Sequence, residues 1–206
     1  MTRIYALLAA GMLIALLLGT YIVSNLRTDG DQFASCRASN IAGGPGLIGG
    51  PFELVNSAGE TVTETDVITK PTLIYFGYTF CPDVCPLDAQ RNAEALDVIR
   101  DQGRDAQAVF ISIDPERDTP EVVGEYASYM HEDMIALTGS LEQVKAASKA
   151  YRTYYKKQPA EDEFYLVDHS TLTYLVLPEA GFVEFFKRED TAEKIANSAA
   201  CFIDRA

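Results

Sequence analysis

Two cysteines four residues apart carry the first chemical signal in this chain. Cys81 and Cys85 lie in Tyr75-Phe76-Gly77-Tyr78-Thr79-Phe80-Cys81-Pro82-Asp83-Val84-Cys85-Pro86. The apolar run Leu73 to Phe76 predicts a buried strand, and a helical pattern starts at Leu87. Pro86 suits the first position of that helix, where its missing N–H costs nothing. On that reading Cys85 is the N-cap and Cys81 sits in the tight loop before it. The positive end of the helix dipole then favours thiolate over thiol at both sulfurs. Redox exchange and soft-metal binding both need thiolates. The competing account is a pair of inert cysteines or a static disulfide, and a strand–loop–helix junction is a poor place to hide sulfur.

The chain has two histidines, His131 and His169. His169 follows Asp168 between two apolar stretches, where a histidine often does no more than satisfy core hydrogen bonds. Two thiolates and one imidazole, however, form a trigonal set that suits copper, as Cu+ or Cu2+, better than zinc, which takes four ligands in structural sites. Asp168 is a candidate to orient the imidazole, with a turn residue bonding backbone as the equal alternative. His131, beside Glu132 and Asp133, reads as a histidine at a helix C-terminus and not as a ligand. Asp114, Arg117 and Asp118 are explained better by loop building and helix capping than by a carboxylate site. Tyr151, Tyr154 and Tyr155 read as packing residues.

The elements that must position these groups follow from the hydrophobic pattern. Phe52 to Val55 and Glu60 to Thr63 predict a hairpin around Asn56-Ser57-Ala58-Gly59. Thr65 to Lys70 reads as a short helix or turn, Pro71 to Tyr78 as the first central strand, and Leu87 to Arg100 as a helix. Gln107 to Ile113 is apolar without alternation, as in a parallel sheet. A helix from Asp118 or Thr119 to about Met130 precedes a strand at Ile135 to Thr138 and a helix at Leu141 to Tyr151. Phe164 to Val167 and Leu172 to Leu177 are expected strands flanking Asp168-His169-Ser170. Gly181 to Phe186 completes a hairpin, and Thr191 to Phe202 is the closing helix. This order predicts an α/β, thioredoxin-like fold with an N-terminal β-hairpin extension and an inserted helix. Such a fold brings the loop before a late strand, and with it His169, up beside the cysteine-bearing helix start.

Charge and the N-terminus bound the setting. The 206 residues carry 17 Lys and Arg against 30 Asp and Glu, a formal net charge of -13. So acidic a surface repels phosphate backbones and argues against nucleic-acid binding. Ile4 to Val23 is free of charge and long enough to cross a bilayer as one transmembrane helix. A cleaved signal peptide has a shorter apolar region and a small-residue cleavage site, and the end of this run shows no clean one. The reading is a membrane anchor over residues 1–24, a tether over 25–46 rich in polar residues, Gly and Pro, and one folded domain over 47–206. The absence of an Arg-rich transit peptide points to a bacterial plasma membrane, with the domain on the periplasmic side. An exported domain keeps disulfides. Cys36 in the tether and Cys201 in the last helix are a candidate pair closing the two ends of the domain, with two unrelated free thiols as the alternative.

Taken together, several stretches resemble the Sco/SenC family of membrane-anchored copper proteins of cytochrome c oxidase assembly. They are Gly49-Gly50-Pro51-Phe52, the cysteine motif from Tyr75 to Pro86, Ile111 to Pro120, Leu137-Thr138-Gly139, Tyr151 to Tyr155 and Val167-Asp168-His169-Ser170. The resemblance covers roughly residues 47–203 plus the anchor. It implies a thioredoxin-like fold with Cys81, Cys85 and His169 as copper ligands. It further implies delivery of copper to the dinuclear copper A site of cytochrome c oxidase subunit II, or reduction of that site's cysteines beforehand, with another copper chaperone as a candidate donor. Cys36 and Cys201 lie outside the general family pattern.

Two functions remain in view. One is a copper metallochaperone, in which Cys81 and Cys85 hold copper as thiolates and His169 completes the site. The other is a thiol–disulfide oxidoreductase, in which Cys81 attacks and Cys85 resolves. The four-residue spacing, wider than the usual CxxC, leans toward metal.

Overall fold

The structure is a computed structural model describing residues 2–28, 31–39, 44–160 and 164–206. It divides into two compact units, Met1–Ser35 and Cys36–Ala206. The first unit holds α1 (Thr2–Thr28), a helix of 27 residues and so about 40 Å long at 1.5 Å per residue. Leu8, Met12, Leu13, Leu16 and Leu17 are exposed. Among the described residues no helix is long and apolar enough to cross a membrane, whereas the sequence predicts a span over Ile4 to Val23.

In the second unit, β3 (Thr72–Gly77) and β4 (Gln107–Ser112) are parallel and paired along their whole length, Thr72 opposite Gln107 and Gly77 opposite Ser112. Every residue of both strands is buried. That is why their sequences run apolar without alternating: both faces of the sheet are covered. β5 (Met134–Thr138) extends the parallel part, and β8 (Thr173–Leu177) and β9 (Gly181–Phe186) continue antiparallel on the other side of β3. The hairpin of β1 (Glu53–Asn56) and β2 (Thr61–Thr63) joins the edge of β5. The mixed seven-stranded sheet therefore reads β2-β1-β5-β4-β3-β8-β9, a thioredoxin-like core extended by the hairpin.

The helices are α2 (Glu64–Val67), α3 (Val84–Asp101), α4 (Pro120–Met130), α5 (Leu141–Ala150) and α6 (Ala192–Ile203). Thr119, Ser140 and Thr191 cap the last three, each accepting from a backbone N–H in the first turn. α3 and α6 pack together.

Three expectations differ from the structure. α3 begins at Val84 with Asp83 as N-cap, so Cys85 is the second helical residue and Pro86 the third. Proline is tolerated across this first turn because none of these N–H groups has a partner within the helix. The strand expected at Phe164 to Val167 begins later, as β7 (Val167–His169). It pairs with β6 (Tyr155–Lys157) in a separate two-stranded sheet. Tyr151 is buried, as a packing residue must be, but Tyr154 is 57% exposed.

The beginning of the second unit is stitched to β9 and α6. Cys36 and Cys201 are joined, with S–S 1.99 Å and Cα–Cα 5.7 Å. Arg37 Nε donates to the Val183 carbonyl. The buried Glu184 carboxylate accepts from the Ala38 and Ser39 N–H groups and from the Ser39 hydroxyl.

Candidate metal centre

Both cysteines are positioned by the end of β3 and the first turn of α3. Gly77 closes β3 where no side chain fits. A Cβ there would lie 2.8 Å from Tyr75 Cε1, 3.0 Å from Phe110 Cε2 and 3.1 Å from Cys85 Sγ. The chain then turns, with the Cys81 N–H donating to the Tyr78 carbonyl at 3.3 Å. Asp83 makes no side-chain cap bond. The sulfur of Cys81 supplies one instead, accepting from the Cys85 N–H at 3.2 Å. Cys85 is fully buried and Cys81 is 8% exposed.

These surroundings split the two thiols. The hydrogen bond from Cys85, helped by backbone N–H groups of the helix start, outweighs burial and brings Cys81 down to about 5. The same hydrogen bond, joined by burial, pushes the Cys85 thiol well above its ordinary range. Cys81 is therefore a thiolate at neutral pH and Cys85 keeps its proton.

The imidazole of His169 arrives on β7. Its Nδ1 lies 3.2 Å from the Val167 carbonyl and, having only an acceptor to face, carries the proton. The lone pair of Nε2 is left facing Cys85 Sγ at 3.4 Å and Tyr75 Oη at 3.3 Å. Tyr75 donates to the buried Asp88 carboxylate at 3.0 Å, and Asp88 pairs with Arg91 at 2.9 Å. Burial raises the Asp88 carboxyl from its ordinary value, opposed by Arg91 and the Tyr75 hydroxyl. The rings of Tyr75 and Tyr78 meet the imidazole edge-on, with centroids 6.3 and 5.7 Å away.

The structure brings Cys81, Cys85 and His169 together as a chain of contacts centred on Cys85. Among the described residues no three His, Cys, Asp or Glu side chains are gathered at metal-ligating closeness. Asp168 does not orient the imidazole: it is exposed and accepts from Gln158 Nε2. The orienting group is a backbone carbonyl, a role that residue types do not reveal. His131 caps α4, facing Asp97 and accepting from the Asp133 N–H. Asp118 is a loop builder: its buried carboxylate accepts from the Thr79 N–H at 3.1 Å, the Thr79 hydroxyl at 2.5 Å and Ser112 Oγ at 2.5 Å. Tyr75, Tyr78 and Asp88 were not expected at the site. Asp88 left a signal, an acidic residue one helical turn after Cys85.

Phe80, Leu87, Phe164 and Leu166 expose more than half of their surface on the segments that carry the cysteines and the histidine. Next to Cys81, a cleft of about 760 Å³ lies between Phe80, Arg117, Lys157, Phe164 and Tyr165.

The domain is thioredoxin-like, with a dithiol at the start of the first core helix and an imidazole against the buried sulfur. The SCO1/SenC family model matches residues 42–204, and the chain belongs to that family. It is 51% identical to Protein SenC of Rhodobacter capsulatus over 174 residues, 84% of this chain and 78% of that one. It is 41% identical to the mitochondrial Protein SCO1 homolog of Homo sapiens over 160 residues, 76% of this chain and 53% of that one. The chain thus spans about half the length of that human relative. The copper-bound crystal structure of ScoI from Arabidopsis thaliana superposes with a TM-score of 0.73 at 43% identity, covering 76% of this chain and 99% of that one.

Proposed function

We propose that this chain is a membrane-tethered copper metallochaperone. It carries Cu+ or Cu2+ on Cys81, Cys85 and His169 to the copper A site of cytochrome c oxidase subunit II, and receives it from another copper chaperone. The observation that carries this reading is His169 Nε2, 3.4 Å from the buried Cys85 sulfur, with the Val167 carbonyl taking the Nδ1 side of the ring. Two soft sulfurs and one imidazole fit copper, and the relative from Arabidopsis was solved with copper bound.

Cargo arrives at a ready thiolate, Cys81. Cys85 gives up its proton as it becomes the second thiolate, and Nε2 already points inward. Loading and a Cys81–Cys85 disulfide exclude each other, so the redox state of the pair gates capacity. The exposed Phe80, Leu87, Phe164 and Leu166 surround the site with apolar surface suited to a protein partner. The charge-free run Ile4 to Val23, with its exposed apolar side chains, would sit in the bacterial plasma membrane and leave the domain in the periplasm.

A second reading, a reductase of a partner's cysteines, draws support from the split of the two thiols. A thiolate at about 5 beside a retained thiol is the arrangement of an attacking and a resolving cysteine. Complementation of an oxidase-deficient deletion strain separates the two. The chaperone reading expects His169→Ala to abolish oxidase assembly and added copper to restore part of it. Full assembly with His169→Ala, alongside failure with Cys85→Ser, would replace it by the reductase.

A further inference from the structure

The strand that bears His169 lies outside the main sheet, since β6 and β7 pair with each other and with no strand of the other seven. On its C-terminal side the arm is tied to β3 through β8, which begins four residues after His169 with Thr173 opposite Tyr75; on its N-terminal side no ladder of the main sheet holds it. The segment Tyr165 to Val167 reaches the body of the domain through side chains. Tyr165 Oη donates to Asp114 at 2.7 Å, and the Val167 N–H donates to Tyr78 Oη at 3.2 Å. Asp114 is itself held. Its N–H donates to Ser112 Oγ at 3.0 Å, and its carboxylate takes Arg117 Nε at 2.6 Å. The Arg117 guanidinium carbon lies 3.6 Å from the centroid of the Tyr165 ring, and Lys157 Nζ lies 3.7 Å from it. Arg117 also covers Phe80, next to Cys81, at 4.7 Å.

Tyr165 is 7% exposed. Its hydroxyl is bound to a buried carboxylate and its ring is flanked by two cations, a combination that resists displacement. Four residues further on comes His169. We propose that Tyr165, with Asp114 and Arg117, is a latch that fixes how closely the His169 imidazole approaches Cys85. These are positioning residues: they act on copper through the histidine arm. The same guanidinium touches the cysteine loop through Phe80, so one group registers both halves of the site.

The inference rests on His169 being a copper ligand, and its test separates the two claims. Copper(II) ions are titrated into the reduced, full-length protein under anaerobic conditions, read by thiolate-to-copper charge-transfer absorption. Tyr165→Phe and Tyr165→Leu are compared in wild-type and His169→Ala backgrounds. The latch predicts that Tyr165→Phe weakens copper binding by about fivefold to tenfold, the usual net worth of one hydrogen bond, and Tyr165→Leu by more. In the His169→Ala background neither change adds a further loss. In the metal-free protein, the His169 ring resonances shift with Tyr165→Phe while the alkylation rate of Cys81 holds. Equal losses in both backgrounds, or unchanged affinity in both Tyr165 variants while His169→Ala lowers it, would overturn the latch. Unchanged affinity in His169→Ala itself removes the ligand reading, and the latch then stands or falls on the ring resonances alone.

Discussion

Cys81 and Cys85 follow β3, a strand paired on both sides in the middle of a seven-stranded sheet, whereas His169 sits on β7, which pairs with one three-residue strand. Around the cysteines the geometry is set by backbone ladders, by a glycine with no room for a side chain and by a helix start capped with sulfur. Around the histidine it is set by tyrosine hydroxyls, an arginine and one carbonyl. The dithiol is thus built into the core. The imidazole sits on a short arm between the main-sheet strand β8 and a few hydrogen bonds, each worth on the order of 1 kcal/mol. For the proposed copper site, which has to hold and release its cargo, that asymmetry puts the histidine on the weaker support.

Damage to the cysteine half should be the most costly. Gly77→Ala forces a Cβ to 2.8 Å from Tyr75 Cε1 and 3.1 Å from Cys85 Sγ. Overpacking of this kind costs about 3 kcal/mol, to be read as a lowered denaturation midpoint. Asp118→Ala leaves the Thr79 N–H and two hydroxyls without their buried acceptor. The expected loss is about 2–3 kcal/mol, with Asp118→Asn losing less because it keeps an acceptor. His169→Ala sharpens the contrast: half-buried and outside the main sheet, it should change stability by less than about 1 kcal/mol while removing the imidazole proposed as the third ligand. Stability losses as large as those of Gly77→Ala would dissolve the distinction between the halves.

The smallest perturbation is pH. Because Cys81 is depressed to about 5, its thiolate is fully present at neutral pH and is lost as pH falls through about 5. Cys85, displaced upward, stays a thiol over the same range. Alkylation of the reduced protein should therefore modify Cys81 alone, with a rate that is flat above neutrality and half-maximal near pH 5. A half-maximum near 9 would mean that the helix start and the Cys85 hydrogen bond do not act on Cys81.

The same contrast governs what could be read in the sequence. β3, β4 and α3 announce themselves, because elements buried on a core must spell out an apolar pattern, and Pro86 marks the first helical turn. The exact helix start was missed because the capping group is a sulfur, not one of the usual side-chain oxygens. β6 was missed because Tyr155-Lys156-Lys157 is too short and too basic to look like a strand; its partner is the histidine arm itself. Asp168 drew attention as a neighbouring carboxylate, yet the acceptor on Nδ1 is the Val167 carbonyl, which every residue possesses. Tyr75 and Tyr78 stood inside the motif, but their roles depend on what their hydroxyls meet across the fold, Asp88 and Val167.

Anaerobic copper(I) titration of the reduced full-length protein against a chromophoric chelator, with His169→Ala alongside, tests the three-ligand site most directly. One copper per chain is expected, with affinity falling more than about tenfold in His169→Ala, at least the effect of removing an outer-shell partner. Equal affinity in the two proteins would contradict the account and leave a dithiol without its histidine.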